Sequence, residues 1–345
     1  MKQDQLLIEV KDLKTYFFLD EGTVRALDGV DFNIWRGQTI GVVGESGCGK
    51  SVTARSILRI VPRPGRIIEG QITLHRKLGE NGGGQIEQLE LTKLDPTGPV
   101  MRSIRGAEIA LVPQEPMASL SAVHTIGNQI SEAIMLHQKV GKEEARAKAI
   151  QMLDLAGFPK PKERIDSYPH QLSGGLRQRA VIAMGLSCHP SLLIADEPTT
   201  ALDVTTEAQI LRLMRSLQHE LGMAIMFITH NLGVVAQMCE DVVVMYMGRV
   251  VEEAPVDAIF HNPKHPYTQA LLRSIPRLGQ KTQERRQLES IRGTVPDPYS
   301  RPKGCAFHPR CTQRIRGVCD QDAPPWVEVE PGHKVRCVLY GEPGK

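Results

Sequence analysis

An α/β fold, with helices packed on a mainly parallel sheet, is predicted by three observations. Short apolar runs alternate with longer helical patterns from residue 6 to about residue 275, the order in which parallel strands and their covering helices follow one another. The runs are continuous rather than alternating, which suits strands buried on both faces. One of them, TIGVV, passes through a glycine-rich turn straight into a helical stretch, and such junctions are where α/β sheets bind phosphate groups.

In chain order the strands are residues 39–43 (TIGVV), 108–112 (EIALV), 192–195 (LLIA), 224–228 (AIMFI) and 241–246 (DVVVMY). Between them, residues 142–156 (KEEARAKAIQMLDLA) space apolar side chains at helical intervals with charges opposite, and Gly157 followed by Pro159 ends the helix. Residues 76–105 read as an inserted β-hairpin with a mobile tip, because Asn81-Gly82-Gly83-Gly84 is turn chemistry and alternating apolar positions follow. Residues 276–304 are polar, basic and proline-bearing, which predicts a linker, and residues 305–345 form a small cysteine-bearing tail. No internal repeat interrupts this order.

Composition narrows the function classes. At about 150 residues per domain, 345 residues leave room for about two units, and 41% hydrophobic with 23% charged residues suits a globular chain. The 42 basic and 39 acidic residues leave a net charge of +3, no electrostatic case for nucleic acid or anionic lipid. No apolar run approaches the ~20 residues of a membrane helix. The start, MKQDQLLIEV, lacks the basic-then-apolar layout of a secretion signal, so a cytoplasmic location is expected.

After TIGVV come Gly44-Glu45-Ser46-Gly47-Cys48-Gly49-Lys50-Ser51 and then Val52, the G-x-x-x-x-G-K-S phosphate loop in its strand-turn-helix setting. Glycines let consecutive N–H groups face the phosphates, the helix dipole adds to them, Lys50 reaches the β/γ-phosphates, and the Ser51 hydroxyl ligates Mg²⁺. About 145 residues on, LLIADEP sets Asp196 and Glu197 at the carboxyl edge of a buried strand. Alone, Asp-Glu-Pro is an ordinary strand terminator; beside a phosphate loop, Asp196 suits Mg²⁺ and Glu197 the attacking water. LSGGL places Ser173 as an N-cap, with Gly174 and Gly175 opening an anion-receptive helix end. Gln114 and His230 each follow a strand and reach the same sheet edge.

The ordered set resembles the ATP-binding subunit of an ABC transporter. GESGCGKS resembles its Walker A loop, Gln114 its Q-loop, LSGGL its signature, LLIADEP its Walker B strand, Ala201-Leu202-Asp203 its D-loop and His230 its H-loop. VPQEPMASL, SYPHQLSGG, ADEPTTALDVT, HPYTQALLRSIP and the cysteine tail resemble the oligopeptide/dipeptide branch of bacterial importers. The resemblance implies a P-loop NTPase cassette over residues 1–275: a RecA-like core, an antiparallel β subdomain, and a helical signature subdomain at about 120–190. It implies Glu197 as general base, Asp196, Ser51 and Gln114 at Mg²⁺, and Lys50 and His230 at the γ-phosphate. Ser173, Gly174 and Gly175 would serve ATP bound to a partner packed head to tail, and Asp203 of the D-loop counts among the ATP-binding residues. Adenine would stack on Phe17 or its neighbour Tyr16. Two departures stand out: Leu176 where the signature usually has Gln, and Cys48 where the loop often has Ser.

Implied partners are a second ATPase subunit, a paralogue by branch resemblance, two transmembrane permeases, and an extracytoplasmic peptide-binding protein, with no nucleic acid. The chain would then lie peripherally on the cytoplasmic face of the membrane and power import of di- and oligopeptides. A soluble ABC ATPase acting on DNA or the ribosome is the alternative, as are importers of nickel, glutathione or sugar.

Four of the seven cysteines, Cys305, Cys311, Cys319 and Cys337, crowd the tail, and in a reducing compartment such a cluster points to a metal before disulfides. The spacing does not choose the metal. Branch resemblance implies a 4Fe-4S cluster; Zn²⁺ remains the alternative, with His308 and His333 as spare ligands. A tail with so few apolar residues is predicted to need such a staple, either as a structural pin or as a redox sensor.

Overall fold

The computed structural model describes residues 5–77, 85–200, 202–274 and 291–341. Two sheets carry the fold. The smaller is antiparallel, in the order β2-β1-β4-β5, from β1 (Leu6–Leu19), β2 (Gly22–Trp35), β4 (Gly65–Lys77) and β5 (Ile86–Glu90). The larger runs β11-β12-β10-β9-β3-β8-β7-β6. Its parallel part comprises β3 (Thr39–Val43), β6 (Ile109–Val112), β7 (Leu192–Asp196), β8 (Ala224–Ile228) and β9 (Asp241–Tyr246). All five nominated strands are therefore present, with β6 one residue shorter and β7 one longer than the apolar runs suggest. Every residue of β3, β7 and β8 is buried, which explains why their sequences do not alternate.

Three helices form the layer that carries LSGGL: Ile126–Gln138, Lys142–Leu155 and Gly174–Leu186. In the second, Ala145, Ala149 and Leu153 make one buried stripe at four-residue spacing, Glu143 and Glu144 sit in the first turn, and Gly157 closes the end at φ +66°. The insert at 76–105 is a hairpin only in part. β4 pairs with β5 from Thr73↔Glu90 to Lys77↔Ile86, the tip lies outside the described residues, and the remainder forms a 3₁₀ turn and the short helix Pro99–Ile104. Proline at the helix start and the buried Met101 and Ile104 explain that change.

The tail differs from a module hung on a linker. β12 (His333–Val335) pairs antiparallel with β10 (Arg249–Pro255), and β11 (Val327–Glu330) pairs outside it, so the tail extends the main sheet. Phe307 is buried against Tyr246 and Tyr267. Ion pairs bind Arg301 to Asp28 at 2.6 Å and Arg310 to Glu45 at 2.7 Å. His333 Nε2 lies 2.8 Å from the fully buried Glu252. A β-ladder and buried polar contacts thus hold this segment, which sequence alone suggested only a metal could staple.

Acid should loosen that junction. Burial pushes the Glu252 carboxyl up, but bonds from His333 and the N–H groups of Lys264 and His265 outweigh it and hold it below the usual 4.5. Burial also holds His265 down to about 4. A buried neutral His265 takes up no proton where the unfolded chain does, so stability falls as pH drops from the ordinary 6.5 toward about 4. Glu252 contributes fully above its unfolded value, and that contribution is lost as pH falls through its lowered one. Thermal unfolding should therefore show a falling midpoint below about pH 6.5, worth up to about 1.4 kcal/mol per pH unit for the His265 proton. His265→Asn should flatten the slope; an equally steep profile in that variant would contradict the assignment.

Candidate active site

The phosphate loop leaves the carboxyl end of β3 and enters the helix Lys50–Ile57. Its glycines are obligatory for space as well as conformation. A Cβ on Gly44, at φ +152°, would stand 2.2 Å from the Met245 carbonyl oxygen, and one on Gly49, at φ +107°, 2.6 Å from that of Ala26. Lys50 Nζ donates to the carbonyls of Gly44 and Glu45 at 2.8 and 3.1 Å, which holds the ammonium over the loop. The loop borders an open cleft of about 600 Å³, lined by Ser46, Gly47, Gly49, Lys50, Ser51 and Val52 together with Gln114, Glu197, Thr200, His230 and Ala26.

The two carboxylates at the end of β7 part company. Asp196 Oδ1 accepts from the Ser51 hydroxyl at 2.9 Å; burial pushes this carboxyl up, and the Ser51 bond works against that. Two hard oxygens meet here at the foot of the phosphate loop, a donor set that fits Mg²⁺. Glu197, at φ +48°, turns instead into the cleft. Gln114 Nε2 and Thr200 Oγ1 each donate to Glu197 Oε2 at 3.0 Å, and His230 Nδ1 lies 3.1 Å from Oε1. The Glu197 side chain is 16% exposed whereas that of His230 is 65% exposed, so the carboxylate is fixed while the imidazole still faces solvent.

Lys50, Ser51, Asp196, Glu197, Gln114 and His230 are thus brought together as their motifs suggest. Others stand apart from the cleft. Phe17 packs beneath Gly65, where a Cβ would come within 2.6 Å of its ring, and the Tyr16 hydroxyl donates to Asp28 at 2.7 Å; neither ring lines the cavity. Glu45 contributes only backbone near the phosphates, because both its carboxylate oxygens are taken by Arg310. Cys48 is 4% exposed and faces away from the cleft. Ser173 occupies the N-cap of the helix Gly174–Leu186, and its hydroxyl makes no capping bond. Both oxygens of Asp203 are occupied by Thr206, at 3.0 and 2.7 Å, capping the helix Val204–Leu221. Leu176, the signature's departure, packs on the core. Thr200 was missed by motif reasoning, although a hydroxyl three residues beyond Glu197 within the same turn was legible; Ala26 reaches the cleft only through folding.

In the tail, Cys305, Cys311, Cys319 and Cys337 line one small cavity with His308. Burial pushes Cys305 up to about 11 and Cys337 up to about 12, and the neighbouring thiols add to both shifts. Among the described residues no three His, Cys, Asp or Glu side chains are disposed to hold a metal ion. His333 does not line that cavity, and its Nε2 is bound to Glu252.

A family model described as ABC transporter matches residues 27–200, and one described as the C-terminal region of oligopeptide/dipeptide transporters matches residues 251–319. A probable peptide ABC transporter ATP-binding protein of Sinorhizobium fredii is 48% identical over 96% of this chain and 94% of its own. The oligopeptide transport ATP-binding protein AppD of Bacillus subtilis is 45% identical over 98% of both chains. Among solved structures, a dimeric ATP-binding cassette in a post-hydrolysis state with ADP and phosphate superposes with a TM-score of 0.61 at 26% identity, over 72% of this chain and 98% of that one.

Proposed function

Since the chain belongs to the ABC transporter ATP-binding family, we propose that it is the ATP-hydrolysing subunit that powers import of di- and oligopeptides. The observation that carries the chemistry is the fixed Glu197 carboxylate, bound by three side chains from three separate loops beside Lys50. Mg²⁺, held by Ser51 and Asp196, would neutralise charge on the β- and γ-phosphates. Gly47 and Gly49 present backbone N–H groups to the phosphates, Lys50 Nζ turns from the loop carbonyls to the γ-phosphate, and His230 closes the open side. Glu197 accepts the proton of a water aligned by Gln114; the water oxygen bonds to the γ-phosphorus as the bridge to the β-phosphate breaks, releasing ADP and phosphate. Adenine stacking falls to Tyr16 or Phe17, whose strand partners Arg25 and Val24 precede the cleft-lining Ala26.

Assembly follows from what one copy lacks. The Ser173 hydroxyl, which makes no capping bond, and the N–H groups of the exposed Gly174 and half-buried Gly175 lie outside the chain's own cleft, which supports their serving ATP held by a second cassette, a paralogue. No helix among the described residues is long and apolar enough to cross a membrane, so two permease subunits would supply the path and an extracytoplasmic binding protein the peptide, with this subunit on the cytoplasmic face. Match of residues 251–319 to the peptide-transporter region favours peptides over nickel, glutathione or sugar, and import over work on DNA or the ribosome. The four tail thiols, gathered about one cavity, supply the soft ligands that a 4Fe-4S cluster takes; zinc, with His308 beside them, is the alternative.

Three outcomes are expected. Glu197→Gln should retain ATP binding while turnover falls about 10²–10⁴-fold; near-normal hydrolysis would remove Glu197 as the base. Deleting the gene should abolish growth on a peptide supplied as the sole source of a required amino acid, and loss of nickel, glutathione or sugar uptake with peptide uptake intact would assign another solute. Protein purified without oxygen should show a broad visible absorbance that Cys311→Ser removes. A colourless protein carrying one zinc would replace the cluster.

A further inference from the structure

Arg310 joins the cysteine tail to the phosphate loop. It sits on the 3₁₀ turn His308–Arg310, between Cys305 and Cys311, and its side chain is only 5% exposed. Its two terminal nitrogens reach the two carboxylate oxygens of Glu45 at 2.7 and 3.0 Å, and its Nε donates to the Arg292 carbonyl at 3.0 Å. The rings of Tyr246 and Phe307 flank the guanidinium. Glu45 is the second residue of the phosphate loop, and each of its polar groups is taken: N–H by the Tyr267 hydroxyl at 2.9 Å, carbonyl by Lys50 Nζ at 3.1 Å, carboxylate by Arg310. Two of these three bonds come from residues C-terminal to the parallel sheet.

We propose that Arg310 is a positioning residue for ATP: through Glu45 it holds the phosphate loop in its receptive shape, so the cysteine tail is part of the nucleotide site. The guanidinium touches no cleft-lining side chain, hence it acts on how the loop receives phosphate and leaves the Glu197 chemistry alone. The pair is suited to this, since its guanidinium is buried while its carboxylate is 24% exposed, so removing the carboxylate charge strands the guanidinium in the interior and removing the guanidinium lets the carboxylate turn to water, the loop moving in either case. This inference rests on the ATPase reading above.

The test compares binding of a fluorescent ATP analogue and steady-state hydrolysis across variants of the full chain with its transporter partners. Arg310→Ala and Glu45→Gln should each raise Kd and KM for ATP by about tenfold, with kcat changed less than about twofold. The double variant should be no worse than either single one, because both break the same bond. Arg310→Lys should fall between. Arg314→Ala, which removes an exposed tail ion pair with Asp320, should leave all three constants unchanged. Should Arg310→Ala fail to fold, Glu45→Gln carries the test, as it keeps the shape and removes only the charge. Unchanged KM in either folded variant, additive losses in the double variant, or a fall in kcat with KM constant would overturn the assignment. A parent protein that binds no ATP analogue would overturn the ATPase reading instead.

Discussion

The site depends on one constraint, the parallel register of β3, β7 and β8. Parallel strands deliver their carboxyl ends to the same edge of a sheet. Here Val42 pairs with Ile228, and Ile228 pairs in turn with Asp196. The phosphate loop, the Walker carboxylates and the segment carrying His230 therefore leave the sheet at one level. Two backbone bonds lock that level across the strand ends, from Glu197 N–H to the Ile228 carbonyl at 2.9 Å and from Thr229 N–H to the Val42 carbonyl at 3.3 Å. Slipping one strand by a residue would reverse its side chains and carry Asp196 away from Ser51. The continuous apolar sequences of β3, β7 and β8 set this register only loosely by themselves, so the hydrogen-bonded loops at the edge matter as much as the core.

The left-handed backbone at Glu197 is where that edge becomes a reactive one. A non-glycine residue at φ +48° carries strain of order 1–2 kcal/mol, and three side-chain donors on its carboxylate offset it. The turn directs adjacent carboxylates to different tasks: Asp196 stays with the strand and meets Ser51, while Glu197 swings to Gln114, Thr200 and His230. Pro198 follows and ends the strand. The neighbouring acids would otherwise repel at one point, and even apart the Glu197 charge adds to the upward push that burial gives Asp196.

What was legible in the sequence was local. The phosphate loop, LLIADEP, LSGGL and the five buried strands are contiguous patterns whose physics lies within a few residues, and all are found where those patterns put them. What was not legible depends on distant pairing. Nothing in HPRC announces that Arg310 will meet Glu45, 265 residues away, nor that HKV will extend β10 from beyond the linker. Three strand residues carry too little pattern to be nominated alone, and their place comes from the edge that β10 leaves open. The same reason leaves Phe17 and Tyr16 as alternatives for the adenine ring. Adjacent positions on a strand point oppositely, and the shift in register between Thr15 and Tyr16 prevents sequence spacing from deciding which ring turns where.

Two ends of helices near the sheet edge are left in opposite states, and the contrast bears on assembly. At Asp203 the cap is complete, with both carboxylate oxygens bound to Thr206, so the helix Val204–Leu221 asks nothing of a ligand. At Ser173 the cap position is filled but the hydroxyl makes no capping bond, and Ser173 and Gly174 are exposed. Uncapped N–H groups and a hydroxyl at the positive end of a thirteen-residue helix form an anion site with no anion source in the same cleft. Lys50, Ser51 and Glu197 form the reverse: a phosphate cradle that is open on the side of His230. Each copy thus carries one half that binds phosphate from below and one that can cover phosphate from above, facing apart. The proposed head-to-tail pair would satisfy both surfaces at once, and would tie hydrolysis to its closing and opening.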